Sequence, residues 1–407
     1  MNKIHSYVFA GGHGEFGTAG ELRSDGGSNH WDAGSGPEID FLGGFDTKKN
    51  LGVSSMGIHR YTMAVPGGSV DCAAICSVGT LPEYRRRGLV RRLMTQALED
   101  CKERGQPVAI LWPTQAAIYQ RYGYAMVTVQ REYEIDTVDI AFTDGDSGSC
   151  SVERIEHAEA ERVCAALYTQ FIAERSVYIE WDARFQKLGG WGSGSHYHYA
   201  VACDGSGTPV GYCIYSVRGG RQHKTRNQTL HIVELIWTTM DAYRSLWSFI
   251  ASHDLVGAVR YHAAPADDPA PELFMEPRLL DAKDNEGMWL RIVDLQAALC
   301  SRRYNTAPLE LTLVIEIVDD GNGLAEWNLG RWVLSVDSEG AATVAAAQSA
   351  EAAEISLTIK AMASLWTGFR SAAELHAWAE LEGEPSAVTK AGLIFAATHA
   401  PHCFDHY

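Results

Sequence analysis

Between residues 53 and 112 the spacing of apolar side chains switches from a strand period to a helical one and back. That switch confines the region to an α/β arrangement. "VSSMGIHRYTMAV" (53–65) and "VDCAAICSV" (70–78) are apolar, partly β-branched runs parted by the turn signal "PGG" (66–68), which predicts a hairpin. Leu89, Leu93, Met94, Ala97, Leu98 and Cys101 then recur at helical spacing, and Gly105 with Pro107 behind it predicts the stop. "VAILW" (108–112) reads as a buried strand, "TQAAIYQRYG" (114–123) as a short helix and "AMVTVQREYEI" (125–135) as a further strand.

At the junction of the hairpin and the first helix stands "EYRRRGLVRR" (83–92), in a chain whose formal net charge is -17. Unpaired N–H groups at a helix start, together with the helix dipole, form an anion site, and Gly88 lets a diphosphate approach the main chain with no Cβ in the way. Arg85, Arg86 and Arg87 add charge at the rim. An isolated arginine triplet is ordinarily a solvated basic face. Placement between a buried strand and a well-formed helix favours the anion site.

The 407 residues are too many for one ordinary core and predict two or three domains, at roughly 150 residues each. No stretch approaches the roughly 18 uncharged apolar residues that cross a bilayer, and the start "MNKIHSYVFAGGHG" lacks a continuous apolar region, so a soluble, cytoplasmic protein without a membrane partner is expected. Nine cysteines with no paired spacing read as reduced thiols. The acidic excess argues against nucleic acid as a partner and favours cationic small molecules.

The first fifty residues, rich in glycine from Gly11 to Gly36, are expected to be irregular. "FTDGDSGSCS" (142–151) reads as a linker into a second domain, whose helix (158–175), hairpin at "DGSGT", strand "LHIVELIW", helix (241–253) and strand "VGAVRYHA" echo the first. "MWLRIVDLQAAL" (288–299) reads as a strand turning into a helix and opens a third region. There "PLELTLVIEIVD", "GRWVLSVD" and 352–359 read as strands and 361–379 as helix.

These residues resemble a known family. "V-x-T-x-P-x-x-R-R-x-G" (78–88) is similar to the acetyl-CoA signature of the GNAT N-acetyltransferases, and "IYQRYGY" (118–124) to the segment that follows it in the Eis (enhanced intracellular survival) family. "MWLRIVD", "LWTGFRSAAEL" and the closing "PHCFDHY" also look like Eis landmarks, so the resemblance covers roughly residues 52–407. It implies an α/β (α+β) chain with tandem GNAT folds and a sterol-carrier-protein-like domain. The expected divisions are 1–145 (catalytic GNAT, with an atypical leader to about residue 50), 146–294 (GNAT-like, without cofactor) and 295–407.

Carried over residue by residue, the resemblance puts Val78 and Thr80 on the strand that pairs with the pantetheine arm of acetyl-CoA. Arg85, Arg86, Gly88, Leu89 and Val90 are expected around the diphosphate, and Trp112 and Thr114 near the thioester. Tyr119 is implied as the general acid for the departing thiolate: reference pKa values of about 10 for phenol and about 8.5 for a thiol are close enough for proton delivery. The α-carboxylate of Tyr407 is implied as acceptor of the amine's proton, although a reference pKa near 3.5 makes it a weak base. The family normally has a strand and two helices where this chain has its glycine-rich leader, carries Phe where Tyr407 stands, and has less bulk at Trp112.

The reading is an acetyl-CoA-dependent N-acetyltransferase acting on primary amines of a cationic small molecule (aminoglycoside-like, a polyamine or a lysine side chain) by direct attack in a ternary complex. A homo-oligomer, a hexamer by resemblance, is implied. The alternatives are a GNAT-fold enzyme using another acyl group or reaction, and a non-catalytic acyl-CoA or lipid-binding protein. "GHGEFG" (12–17) fits a dinucleotide fingerprint but is followed by a poor helix. His399, His402, Cys403 and His406 lack a second ligand cluster, so no metal is expected. Cys72 and Cys76 read as core thiols, and His196 and His198 as structural.

Overall fold

The computed structural model describes residues 39–181, 197–220 and 225–405. They form two compact units: one holds the residues up to Val127 together with Met288–Ala397, the other Thr128–Gly287 together with Thr398–Asp405.

In the first unit, β1 (Ile39–Asp46), β2 (Leu51–Val65) and β3 (Gly68–Thr80) form an antiparallel meander. Helix α1 (Leu89–Glu103) then crosses to β4 (Val108–Leu111), which lies parallel to β3, and the short α2 (Ala116–Gln120) leads to β5 (Ala125–Met126). The apolar stripe of α1 is buried at Met94, Ala97, Leu98 and Cys101, as its spacing predicts. The expectation of irregular backbone to residue 50 is corrected at β1, which pairs with β2 from Ile39↔His59 to Asp46↔Leu51. Gly43 and Gly44 hide its alternation; residues 1–38, with Gly12–Gly17, lie outside the described residues.

The segment read as strand then helix is the strand Trp289–Ile292 and the helix Leu295–Cys300. The strand sits in the first unit's sheet between β4 and β5, giving the order β1-β2-β3-β4, Trp289–Ile292, β5. All four of its residues are buried. Beyond it, Leu311–Val318, Gly330–Val336, Ala342–Ala346, Ile355–Thr358 and Leu381–Gly383 form a five-stranded sheet. The helix expected over 361–379 is two, Ile359–Trp366 and Ala372–Ala377. Gly368 at φ +77° ends the first, and Ser371 with Glu374 starts the second as a reciprocal cap.

The second unit repeats the strand-helix-strand order on a seven-stranded sheet. Its strands are β6 (Val129–Asp136), β7 (Ser151–Ile155), β8 (Tyr197–Cys203), β9 (Pro209–Gly219), β10 (Gln228–Trp237), β11 (Val256–Ala264) and β12 (Lys283–Glu286), in the order β12-β6-β11-β10-β9-β8-β7. Its two long helices among the described residues are α3 (His157–Ile172) and α4 (Met240–Ala251). The glycine- and serine-rich 142–151 is not where the units part. Ser149 N and Cys150 N donate to Asp241 Oδ1 at 2.8 Å and Ser245 Oγ at 3.1 Å, and the Phe142 and Phe274 rings meet at 5.4 Å. Composition alone suggested a free linker, but side-chain acceptors on α4 capture its main chain.

Residues 398–405 belong to this unit. Asp267 accepts from His399 Nδ1 at 3.1 Å and Ala400 N at 3.3 Å and pairs with Arg175 at 3.3 Å, and the rings of His402 and Phe404 lie 5.6 and 5.7 Å from that of Tyr178. Burial pushes the His402 imidazole down to about 3, outweighing the opposing pull of Asp267. The folded state therefore binds a proton less readily than the unfolded one. The His402 contribution is fully present above about pH 6.5 and is lost as pH falls toward about 3, the loss amounting to about 2 kcal/mol at pH 5. Buried Asp268, raised to about 6 by burial, has the opposite sign: its contribution is present below about 3.8 and lost as pH rises through about 6. The two slopes offset in wild type, so the comparison that isolates His402 is with His402→Gln. Between pH 6.5 and 4.5 the melting temperature of wild type should fall relative to that of the variant; parallel curves would show that His402 is charged in the fold.

Candidate active site

The ladder between β3 and β4 runs from Cys72↔Val108 to Ile75↔Leu111, and β3 continues past it to Thr80. Beyond Ile75, β3 pairs with β2 at Cys76, Gly79 and Thr80, and its other side is released from β4. Two adjacent serines of β2 hold this stretch in shape. Ser55 Oγ donates to Ser77 O at 3.1 Å, and Ser54 Oγ donates to Gly79 O at 2.9 Å and lies 2.8 Å from Thr80 Oγ1. Ser77 takes φ +51° at this irregularity. An extended main chain released on one side can pair with an extended amide-bearing ligand. Val78 is half-buried beside the core that contains Tyr119, and the Thr80 side chain turns toward Ser54.

From Thr80 the chain enters the arginine turn. Arg85 Nε donates to Thr80 O at 3.1 Å; Arg87 donates to Glu83 O at 2.7 Å and stacks 4.9 Å from the Tyr84 ring. Tyr84 in turn donates its hydroxyl to Asp46 at 2.6 Å, which holds that carboxyl below its usual range. Arg91 reaches across to the main-chain oxygen of Asn322. The arginines are therefore divided between local architecture and the open rim, where Arg86 (φ +59°) and Arg92 are exposed.

Gly88 caps α1 at φ +75° with no side chain bonding the helix end, and a Cβ added there would meet no atom within 4 Å. The N–H groups of Leu89 and Val90 begin the helix beside that space. Unpaired N–H groups, the positive end of the dipole and the arginine rim suit a diphosphate. The corresponding end of α4 is closed. Thr239 Oγ1 accepts from Ala242 N at 3.2 Å, and Asp241 in its first turn is already bonded to Ser149 and Cys150.

Beyond β4, Trp112 is half-buried and Thr114 exposed, and α2 presents Tyr119. Tyr119 is 7% exposed, with its ring edge-on to Tyr124 at 6.2 Å. Burial pushes its phenol up to about 12, with Tyr122 and Cys76 adding to the shift. The phenol is thus neutral throughout the ordinary pH range. Tyr119 O accepts from Tyr122 N at 2.9 Å and Tyr124 N at 3.3 Å, which closes the turn after α2. Sequence reasoning missed Ser54, Ser55 and the buried Arg291, whose guanidinium donates to the main chain of that same turn. The available signals were an adjacent serine pair in an apolar strand and one arginine inside "WLRIV".

Tyr407, His406 and His196 lie outside the described residues. His198 packs 5.3 Å from the Tyr215 ring, Cys72 is buried and Cys76 half-buried. Among the described residues no three His, Cys, Asp or Glu side chains are grouped to hold a metal, and no helix is long and apolar enough to cross a membrane.

Comparison with known proteins matches residues 2–127 and 176–292 each to an acetyltransferase (GNAT) domain family and residues 295–404 to the sterol carrier protein domain family. The first match takes in the glycine-rich leader. The chain is 30% identical over 382 residues to an uncharacterized N-acetyltransferase of Streptomyces avermitilis, covering 90% of this chain and 88% of that one. It is 27% identical over 326 residues to the N-acetyltransferase Eis of Mycobacterium bovis, covering 77% and 75%. The solved structure of Eis1 from Mycobacterium abscessus is similar at a TM-score of 0.75 and 25% identity, covering 90% of both chains.

Proposed function

Because the chain belongs to the Eis family of GNAT N-acetyltransferases, two GNAT domains followed by a sterol-carrier-protein domain, and is thus an enzyme that uses an acyl-CoA and an amine acceptor, we propose that it transfers acetyl from acetyl-CoA to primary amines of a polycationic small molecule. The observation that carries this reading is the run from β3 to α1: an extended edge released from β4 leads into a helix start that no side chain caps. Val78 and Thr80 offer main chain to the pantetheine arm. Gly88, Leu89 and Val90 receive the diphosphate, with Arg85 and Arg86 at its rim. Trp112 and Thr114 stand beside the acyl group. The capped and acidic start of α4 favours one acyl-CoA site per chain.

The thioester supplies the activated acetyl group, and the acceptor's amine attacks it directly with both substrates bound. Tyr119 donates to the sulfur as the C–S bond breaks. A phenol near 12 is a weaker acid than a thiol in water at about 8.5, so complete transfer is uphill unless the thiol is raised by the same burial. Its service is greatest as a hydrogen bond that strengthens while charge grows on sulfur. The α-carboxylate of Tyr407 takes the amine's proton, directly or through a water. A net charge of -17 gathers cationic acceptors, among which aminoglycoside-like compounds, polyamines and lysine side chains are the candidates. A hexameric assembly in the cytoplasm completes the proposal.

Thiol release from acetyl-CoA, measured with a panel of amines, tests it. Release that depends on polyamines or aminoglycosides and rises with the number of amino groups is expected. Release with another acyl-CoA alone would move the acyl assignment, and no release with any amine would overturn the acceptor class.

A further inference from the structure

Arg291 lies in the strand Trp289–Ile292, is 1% exposed, and uses its planar fork on two carbonyl groups far apart in sequence. Nη1 donates to Tyr122 O at 2.8 Å and Nη2 to Leu324 O at 2.9 Å. Tyr122 lies in the turn that closes α2, and Leu324 belongs to the loop 319–325 of the sterol-carrier region. Gly123, at φ +75°, packs directly on the guanidinium: an added Cβ would stand 1.6 Å from Nη1.

The loop is itself well tied. Asp320 accepts from Asn322 N at 3.1 Å and Asn322 Nδ2 at 2.7 Å, and Asn322 Oδ1 accepts from Leu324 N at 2.8 Å. Its other attachment is Arg91, from the first turn of α1, bonded to the oxygen of Asn322. Leu324 and Ala325 share a core with Tyr119, Tyr122 and Tyr124.

A guanidinium taken out of water and met by carbonyls rather than a carboxylate is costly, and apolar packing of similar volume would serve stability as well. What it supplies is geometry, because the fork fixes two acceptors at once. We propose that Arg291 and the loop 319–325 form a brace that sets the Tyr119 turn against the cofactor helix, which makes Arg291 a positioning residue for acyl transfer. The sterol-carrier region is then a working part of the catalytic site. This rests on the assignment of Tyr119 as the donor.

The test is a double-mutant cycle read as thiol release. Arg291→Lys keeps the charge and loses the fork, so kcat should fall about 10–100-fold, with KM for acetyl-CoA within about threefold, as for loss of orientation at the reacting centre. Asp320→Ala, at an exposed residue, loosens the loop without emptying the core and should cost about 3–10-fold. In a Tyr119→Phe background both losses should shrink to less than about twofold, because the group being positioned is gone. Equal losses in both backgrounds would show general support of the fold and overturn the brace while leaving the Tyr119 assignment in place. Wild-type turnover in Tyr119→Phe alone would instead remove the donor assignment and the coupling built on it. Should Arg291→Lys fail to fold by circular dichroism, the Asp320→Ala cycle decides the matter by the same criterion.

Discussion

Tyr119→Phe is expected to lower turnover by about 10²–10⁴-fold, the usual worth of a positioned acid, with acetyl-CoA affinity little changed. The substitution keeps the ring that packs edge-on against Tyr124 and removes the hydroxyl alone. Burial adds a pH signature. With the phenol near 12, Tyr119 stays protonated from pH 6 to 10, and the ratio of wild-type to variant kcat should be constant over that range. An unburied phenol at its reference value of about 10 would let the ratio fall to about half by pH 10. A ratio of one throughout would return Tyr119 to a packing role, and a ratio that declines over this range would show that its phenol titrates near its unburied value.

Gly88→Asp is expected to weaken CoA binding by about 10³-fold, since a carboxylate placed about 4 Å from one diphosphate charge costs about 4 kcal/mol at an effective dielectric of 20. Folding should survive, because an added Cβ meets nothing within 4 Å and an aspartate tolerates φ +75° better than most residues. Gly88→Asn separates the two possible causes. It has nearly the same shape and the same tolerance of the left-handed region but no charge, so its loss should be about tenfold. Calorimetry giving equal affinities for wild type and a folded Gly88→Asp protein would remove the diphosphate from this helix end. Equal losses for Asp and Asn would make the requirement one of space.

The contrast between the two helix starts is the physical basis for proposing a single site in a repeated fold. Both α1 and α4 follow a strand and lead to a parallel neighbour. A left-handed glycine without a capping side chain leaves the N–H groups of α1 available, whereas Thr239 caps the start of α4 and Asp241 places a carboxylate in its first turn. The difference was legible from residues 83–92 against "TTMDAYRSL", since Thr and Asp at a helix start are its own cap and counter-charge.

Local chemistry of this kind is what the sequence determined alone. The hairpin, the face of α1 that is buried, the turn at Gly88 and the resemblance in 78–88 and 118–124 depend on neighbours a few residues apart, and spacing records such neighbours directly. Tertiary structure alone decided that Trp289–Ile292 enters the sheet between β4 and β5, that 142–151 is fastened to α4, and that residues 398–405 join the second unit. It also decided that Arg91, written as part of an anion patch, bonds the oxygen of Asn322, and that Arg291 inside an apolar strand spans two carbonyls. An apolar run states that a face is buried but not what buries it. Because the entropy of closing a loop rises only with the logarithm of its length, a partner more than a hundred residues away leaves no mark on local spacing.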